Sequence, residues 1–304
     1  MALKVGIPRG LLYYYYGDLW RNFFQLLGIE VVVSGTTTKQ MLDQGSKIDE
    51  VCLPVKVYLG HVCALRGKVD WLFIPRVISV APKQYSCPKM MGLPDVVRAN
   101  FPDLPPMLSV DVNLRKSRFV LYRAVVDLGK RLGKSPWSSL KTWVRASRQI
   151  DAVAVKQDES VSGIRIGLVG HPYILKDSQI SMDITGKLVR LGVRVIDVGD
   201  VPREEANSAA ERLTKPIFWN YCQRLVGAAL ALIYSPRRLD GLVYVTSFSC
   251  GPDSLLGEML GWHARKCNIP LLTLALDEHT GEAGLVTRLE AFVDMLDRRN
   301  KLCW

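Results

Sequence analysis

Several features that would assign a function at once are missing from this 304-residue sequence. The longest apolar stretch, LVGAALALIY, has ten residues, whereas a helix needs about 20 to span a bilayer. The first residues show no basic region followed by an apolar one, so we expect neither a signal peptide nor a membrane partner. These absences favour a protein of the cytoplasm.

Two nucleotide-binding motifs and one metal motif are also absent. No G-x-G-x-x-G follows the first predicted strand, and no G-x-x-x-x-G-K-[ST] occurs, which argues against a dinucleotide site and a P-loop. Zinc sites usually recruit close C-x-x-C pairs, and none is present. The function must therefore rest on residues that are far apart in the sequence.

Acidic residues are scarce in one segment. Between Asn113 and Ile150 the sequence has ten Lys or Arg residues and a single acid, Asp127. This segment therefore carries +9 of the net charge of +11. The segment is either a solvated helix face or a docking surface for an acidic protein, a nucleotide phosphate or nucleic acid. We rank nucleic acid last because no nucleic-acid-binding motif accompanies the charge.

Strand and helix patterns alternate along the chain and then restart. KVGIP, IEVVVSG, VDWLFIPRV and PPMLSVDV read as strands of a first series, while GIRIGLVG, VRVIDVGD, LDGLVYVTSFSCG and IPLLTLAL form a second. SQISMDITGKLVRLG reads as one helix, and VKQDESVSG as a linker. The sequence thus predicts an α/β protein with two Rossmann-like lobes, residues 1–155 and 156–304, whose mainly parallel sheets face a cleft.

Seven cysteines, an odd number, argue against a disulfide framework and leave free thiols or metal ligands as the expected use. Cys52, Cys87 and Cys250 stand beside Pro or Gly at the predicted ends of strands or starts of helices. The sulfur of Cys52 would face a positive helix end, which favours thiolate. We interpret the other four as structural or incidental: Cys63, Cys222, Cys267 and Cys303.

Spacing alone leaves three chemistries open for the three cysteines. They can bind zinc, hold an iron–sulfur cluster that has one iron left open, or include a nucleophile with His61 or His171 as its base. Arg9, Arg76 and His171 follow neighbouring strand ends, where ligands of open α/β sheets bind. We therefore expect these three side chains near whatever group the cysteines hold.

Six long motifs carry a resemblance to a known family. VGIPRGLLYYYYGDLWRNFF, DEVCLPVKVYLGHV, FIPRVISVAPKQYSCPKMMGLPD, VGHPYILKD, TSFSCGPDSLL and LDEHTGEAGLVTRLEAFVDML resemble the acyl-CoA dehydratase activase-related proteins. These are grouped with the 2-hydroxyacyl-CoA dehydratase subunits and the double-cubane cluster proteins of anaerobes. The resemblance covers nearly the whole chain.

The resemblance implies an iron–sulfur protein. It assigns Cys52, Cys87 and Cys250 to a 4Fe–4S cubane or one half of an 8Fe double cubane, used for low-potential electron transfer or reduction. It also implies a 2-hydroxyacyl-CoA dehydratase-like or reductase activity, and a dehydratase of this kind needs a second related subunit. As a hypothesis, a homodimer would bring two clusters together, since three cysteines leave one iron of the cubane open. The ATPase domain of the sugar kinase/actin type, which larger relatives carry, would be a separate ATP-dependent activase.

Two other functions fit the same fold. One is a non-catalytic cluster carrier or assembly factor, and the other is a small-molecule-binding protein without a cluster. Iron and sulfide in the anaerobically purified protein would distinguish the first from the second.

Overall fold

The computed structural model describes residues 3–115, 117–148 and 163–302. The chain forms two compact units, which we call the N-terminal unit (Met1–Val153 with Phe218–Asn220) and the C-terminal unit (Ala154–Ile217 with Tyr221–Trp304). The predicted linker lies almost wholly outside the described residues, as do Lys116 and Cys303.

The N-terminal unit is built on parallel strands. A four-stranded sheet has the order β2-β1-β3-β5, with β1 at Lys4–Ile7, β2 at Glu30–Val33, β3 at Trp71–Phe73 and β5 at Met107–Leu108. A second, two-stranded parallel sheet pairs β4 (Arg76–Ser79) with β6 (Asp111–Asn113). The predicted α/β class with mainly parallel sheets is confirmed for this unit.

Two strands that the sequence predicts as continuous are interrupted. VDWLFIPRV divides into β3 and β4 at Ile74–Pro75, and PPMLSVDV divides into β5 and β6. Proline has no backbone N–H to donate and so breaks the ladder at that position. Backbone pairing is present on both sides of Pro75: Ile74 N–H donates to Leu108 O (2.9 Å), and Arg76 N–H donates to Val110 O (2.9 Å).

Seven helices of the N-terminal unit lie within the described residues: α1 (Tyr13–Leu26), α2 (Lys39–Gly45), α3 (Leu53–Ala64), α4 (Pro88–Met91), α5 (Leu93–Asn100), α6 (Arg118–Arg131) and α7 (Pro136–Ser147). An aromatic core joins α1 to the sheet and to α7, with the Trp20 ring 4.6 Å from that of Phe73 and 5.0 Å from that of Trp143. Thr38 caps α2 by accepting a hydrogen bond from Met41 N–H.

Helices α2 and α3 cross unusually closely, and two glycines make this possible. A Cβ on Gly45 would overlap the carbonyl oxygen of Lys56, and one on Gly60 would overlap that of Met41. The crossing fixes α3, which is buried along nearly its whole length. The crossing therefore also fixes the position of Cys52, the N-cap residue of α3.

We expect Gly60→Ala to lower the free energy of unfolding by about 1–3 kcal/mol, because overpacking against a backbone carbonyl forces the helices apart. Urea unfolding followed by circular dichroism measures the change. Gly281→Ala is the matched control, since a Cβ there would meet no atom within 4 Å. Equal stability of the two variants would contradict the proposed close crossing.

The C-terminal unit has a four-stranded parallel sheet of order β10-β9-β7-β8. The strands are β7 (Arg165–Val169), β8 (Arg194–Asp197), β9 (Gly241–Ser247) and β10 (Leu271–Leu276). Its helices within the described residues are α8 (Pro172–Leu175), α9 (Ser178–Ser181), α10 (Ile184–Arg190), α11 (Arg203–Ala210), α12 (Asn220–Ile233), α13 (Gly251–Lys266) and α14 (Glu282–Leu302). β9 is central and buried throughout. The predicted parallel α/β arrangement is confirmed here as well.

The single helix predicted over SQISMDITGKLVRLG is wrong. Met182 and Asp183 adopt left-handed backbone conformations (φ 51° and 54°), which end α9 and start α10. The Asp183 carboxylate caps α10 by accepting the N–H of Gly186 at 3.2 Å. Within the described residues no helix is both long and apolar enough to cross a membrane.

Candidate functional site

The three singled-out cysteines share one local geometry. Cys52, Cys87 and Cys250 are the N-cap residues of α3, α4 and α13, and each helix has a proline in its first or second position. All three are half-buried reduced thiols. Each cysteine thus directly precedes a helix start, where the first backbone N–H groups have no partner within the helix. The helix-start position predicted for Cys52 is confirmed, and it extends to the other two.

Cys52 and Cys87 both belong to the N-terminal unit, and a hydrogen bond joins the segments that hold them. Lys89, in the first turn of α4, donates from Nζ to the carbonyl oxygen of Glu50 at 2.9 Å. Glu50 itself has a positive φ of 59°, which bends the chain just before Cys52. This hydrogen bond therefore links the first turn of α4 directly to the segment that precedes α3.

The loop that leads to Cys87 is held by a short segment from much later in the chain. Tyr85 N–H donates to Phe218 O, and Asn220 N–H donates to Tyr85 O, each at 3.0 Å. The Tyr85 ring stacks on Phe218 with centroids 4.8 Å apart, and the Arg115 guanidinium lies 5.1 Å from the same ring centroid. Backbone pairing and stacking together position the residues before Cys87.

Ser86, directly before Cys87, has an unsatisfied hydroxyl. Its side chain is fully buried, and Ser86 Oγ has no hydrogen-bond partner among the described residues. A buried hydroxyl without a partner is costly, so such atoms call for an explanation such as a bound group. This hydroxyl is a buried donor, adjacent in sequence to Cys87, that no described residue uses.

Arg76 contacts three of the elements that surround Cys87 in the sequence, namely α4, α5 and β6. Its guanidinium pairs with Asp95 at 2.7 Å and Asp111 at 3.5 Å, and it donates to Met91 O at 2.9 Å. The hydrogen bond from Arg76 lowers the pKa of Asp95. Arg76 therefore ties the end of α4, the helix that Cys87 starts, to α5 and β6. The expectation that Arg76 lies near the group held by the three cysteines remains a prediction.

Arg9 lies at the carboxyl end of β1, in a buried hydrogen-bond network. Its backbone N–H donates to Ser34 Oγ at 2.8 Å, and Ser34 Oγ lies 3.0 Å from His61 Nδ1. The other ring nitrogen of His61 lies 2.9 Å from Thr37 Oγ1. His61, fully buried in α3, thus joins the loops that follow β1 and β2. These contacts explain His61 as a structural residue.

An apolar pocket opens at the same edge of this sheet. It lies at the ends of β1 and β3 and is lined mainly by aromatic and proline side chains, including Pro8, Tyr13, Tyr16, Trp20, Tyr58, Phe73 and Pro75. Burial raises the pKa of the Tyr58 phenol. The pocket suits an apolar group, and it shares α3 with Cys52.

The C-terminal unit contains a buried cluster that converges on one carboxylate. His171, the N-cap of α8, places Nε2 3.0 Å from Asp253 Oδ1, and Cys222 Sγ lies 3.8 Å from the same oxygen. Thr246 Oγ1 donates to Asp253 Oδ2 at 3.3 Å. We call His171, Cys222 and Asp253 the His–Cys–Asp cluster; their exposed fractions are 2%, 5% and 1%.

The carboxylate at the centre of this cluster is kept ionised. Burial by itself raises the pKa of Asp253, but the charge and hydrogen bond of His171, with donors from Cys250 and Thr246, outweigh burial and hold the pKa below its usual range. Tyr244 adds a 2.8 Å hydrogen bond to the backbone oxygen of Asp253.

Sequence reasoning missed two members of this cluster. Asp253 follows Cys250 by three residues, the N-cap to N3 spacing of a capping box, so its role beside Cys250 had a readable signal. The sequence indicates a structural or incidental role for Cys222, and the residue is buried. Cys222 and Asp253 are 31 residues apart in the sequence, and no local pattern predicts their contact. His171 is where the sequence placed it, at the end of β7.

Comparison with known proteins identifies one family. Residues 4–199 match the family described as "CoA enzyme activase uncharacterised domain (DUF2229)". The matched residues include Cys52, Cys87 and His171, whereas Cys222, Cys250 and Asp253 lie beyond them. A search of curated proteins finds no significant match.

Proposed function

Since the chain belongs to the CoA enzyme activase domain family, we propose that it is an iron–sulfur protein of low-potential electron transfer or reduction. In this proposal Cys52, Cys87 and Cys250 hold a 4Fe–4S or double-cubane cluster. The protein works as a homodimer with a separate ATP-dependent activase, in a reductase or 2-hydroxyacyl-CoA dehydratase-like system.

One observation carries the proposal: the three cysteines far apart in sequence share the same placement at a proline-started helix. A structural cysteine needs no such position, because a small buried hydrophobe is served by any apolar site. A sulfur that binds iron as thiolate gains from the positive helix end and from nearby backbone N–H groups. The common geometry therefore favours a common ligand.

The neighbouring residues suit an anionic group. Ser86 Oγ offers a buried donor beside Cys87, and Lys89 brings a cation to the segment before Cys52. When bound, a cluster of this type supplies a low-potential electron. The donors of this chain would then stabilise the added negative charge and so tune the potential.

The direct test is the iron and acid-labile sulfide content of protein purified without oxygen. We expect a brown protein with iron and sulfide in comparable amounts, and an electron paramagnetic resonance signal on reduction. A colourless protein that takes up no iron and sulfide on anaerobic reconstitution would refute the proposal. The remaining alternative would then be a small-molecule-binding protein of the same fold without a cluster.

The basic segment presents features of a docking surface for the activase. Most of its cationic side chains on α6 and α7 are exposed. Two large aromatic side chains stand among them, Phe119 at 81% and Trp137 at 76% exposure. Exposed aromatic residues within a field of like charge are typical of surfaces that bind a partner of opposite charge. We propose an acidic face on the activase as that partner.

Reversing the charge at Arg118, Arg123 and Lys141 together is expected to slow electron delivery by the activase at least about tenfold at low salt. The absorption spectrum of the cluster should not change, since all three side chains are exposed on helices that bear none of the three cysteines. Stopped-flow reduction measures the rate, and added salt should shrink the difference.

The matched control reverses three exposed arginines of the C-terminal unit, Arg203, Arg288 and Arg298. If both triple variants lose the same rate, net charge alone matters and the segment is only a solvated face. If neither does, the activase does not dock on α6 and α7.

A further inference from the structure

We propose that the His–Cys–Asp cluster is a separate binding site for one divalent transition-metal ion of the zinc type. This site lies wholly within the C-terminal unit. It requires neither Cys52 nor Cys87, and its ligands His171 Nε2, Cys222 Sγ and one Asp253 carboxylate oxygen are not those of the proposed cluster.

The geometry of the donor atoms fits such an ion. The three atoms all lie within 4.8 Å of one another, with Asp253 Oδ1 3.0 Å from His171 Nε2 and 3.8 Å from Cys222 Sγ. Ligand atoms on a tetrahedral zinc lie about 3.3–3.7 Å apart, given metal–ligand bonds of about 2.0–2.3 Å. Small side-chain shifts would therefore bring all three onto one ion.

The donor types and the charge balance point in the same direction. Imidazole, thiolate and carboxylate together are a ligand set for zinc, and also for cobalt as its spectroscopic substitute. A thiolate and a carboxylate neutralise the two charges of the ion, so the buried site would carry no net charge. Coordination requires a lone pair on both Cys222 Sγ and His171 Nε2, so binding displaces the thiol proton of Cys222 and the proton on His171 Nε2.

Three separate elements deliver these ligands. His171 caps α8, Cys222 lies in the first turn of α12, and Asp253 is in the first turn of α13. Thr246 Oγ1 orients the other carboxylate oxygen, in the manner of the outer hydrogen bonds that hold metal ligands. An ion here would clamp the starts of three helices against the ends of β7 and β9.

The test uses the full-length chain with Cys52→Ser and Cys87→Ser, which removes two of the proposed cluster ligands and leaves this site intact. Iron-free protein is titrated anaerobically with Co²⁺ and, separately, with Zn²⁺. We expect one equivalent of either ion to be bound, with a sulfur-to-cobalt charge-transfer band and the visible bands of tetrahedral cobalt.

Adding Cys222→Ser should abolish the charge-transfer band and weaken binding at least about tenfold, whereas adding Cys63→Ser should change neither. Asp253→Asn gives a second reading, should Cys222→Ser fail to fold by circular dichroism. Failure of the Cys52/Cys87 background to bind either ion would overturn the site, and so would a band that survives Cys222→Ser. Where that variant does not fold, an affinity for Co²⁺ that Asp253→Asn leaves unchanged would overturn it. Iron and sulfide in the unmodified protein report on the cluster separately, so the two proposals can fail independently.

Discussion

Single replacement of Cys52, Cys87 or Cys250 by Ala should remove most of the iron from the anaerobically reconstituted protein. A cubane held by two protein thiolates instead of three is poorly retained, because each lost ligand exposes another iron to solvent and chelators. Iron and sulfide per chain, together with the visible absorption of the cluster, measure the loss.

Cys63→Ala and Cys267→Ala are the matched controls for these replacements. Both residues are half-buried thiols like the three proposed ligands, but Cys63 lies inside α3 and Cys267 at the end of α13 rather than at a helix start. Burial raises the pKa of the Cys63 thiol, which opposes metal binding. Equal iron loss in both groups would show that helix-start position does not select the ligands.

His171→Ala should lower the free energy of unfolding of the metal-free protein by about 3–5 kcal/mol. The substitution removes the ring that lies 3.0 Å from Asp253 Oδ1 and leaves a carboxylate with 1% exposure without its strongest partner. Urea unfolding in a strong chelator measures the effect, which should exceed that of every surface substitution described above.

Two further variants separate the buried pair from a general effect of histidine. His279→Ala, in the exposed loop after β10, should change stability by less than about 0.5 kcal/mol. Asp253→Asn combined with His171→Ala should be less destabilised than the sum of the two single variants, because the buried charge is then absent. Strict additivity would mean that the two side chains do not stabilise each other.

The alternation of strands and helices could be predicted because the apolar periods of this chain are strong and its turns are rich in Gly and Pro. The helix break at Met182 could not, because the apolar periodicity runs through the two residues that adopt a positive φ. Pro75 did offer a signal for the strand break between β3 and β4.

The candidate site divides in the same way. Cys52, Cys87 and Cys250 stand out because each neighbours a turn residue, and that chemistry is local in the sequence. Cys222 does not stand out, since its partner Asp253 comes from another helix and only folding brings them together. Contacts of this kind depend on the tertiary fold, which local sequence patterns do not reveal.

The pairing of Tyr85 with Phe218 and Asn220 makes the N-terminal unit discontinuous along the polypeptide. A fragment that stops at residue 153 lacks the segment whose backbone pairs with Tyr85 and whose phenylalanine stacks on its ring. The loop before Cys87 would then lose its anchor, even though every strand of that unit is present. Dissecting this protein into halves therefore calls for co-expression of both fragments, or for a covalently grafted copy of residues 216–221.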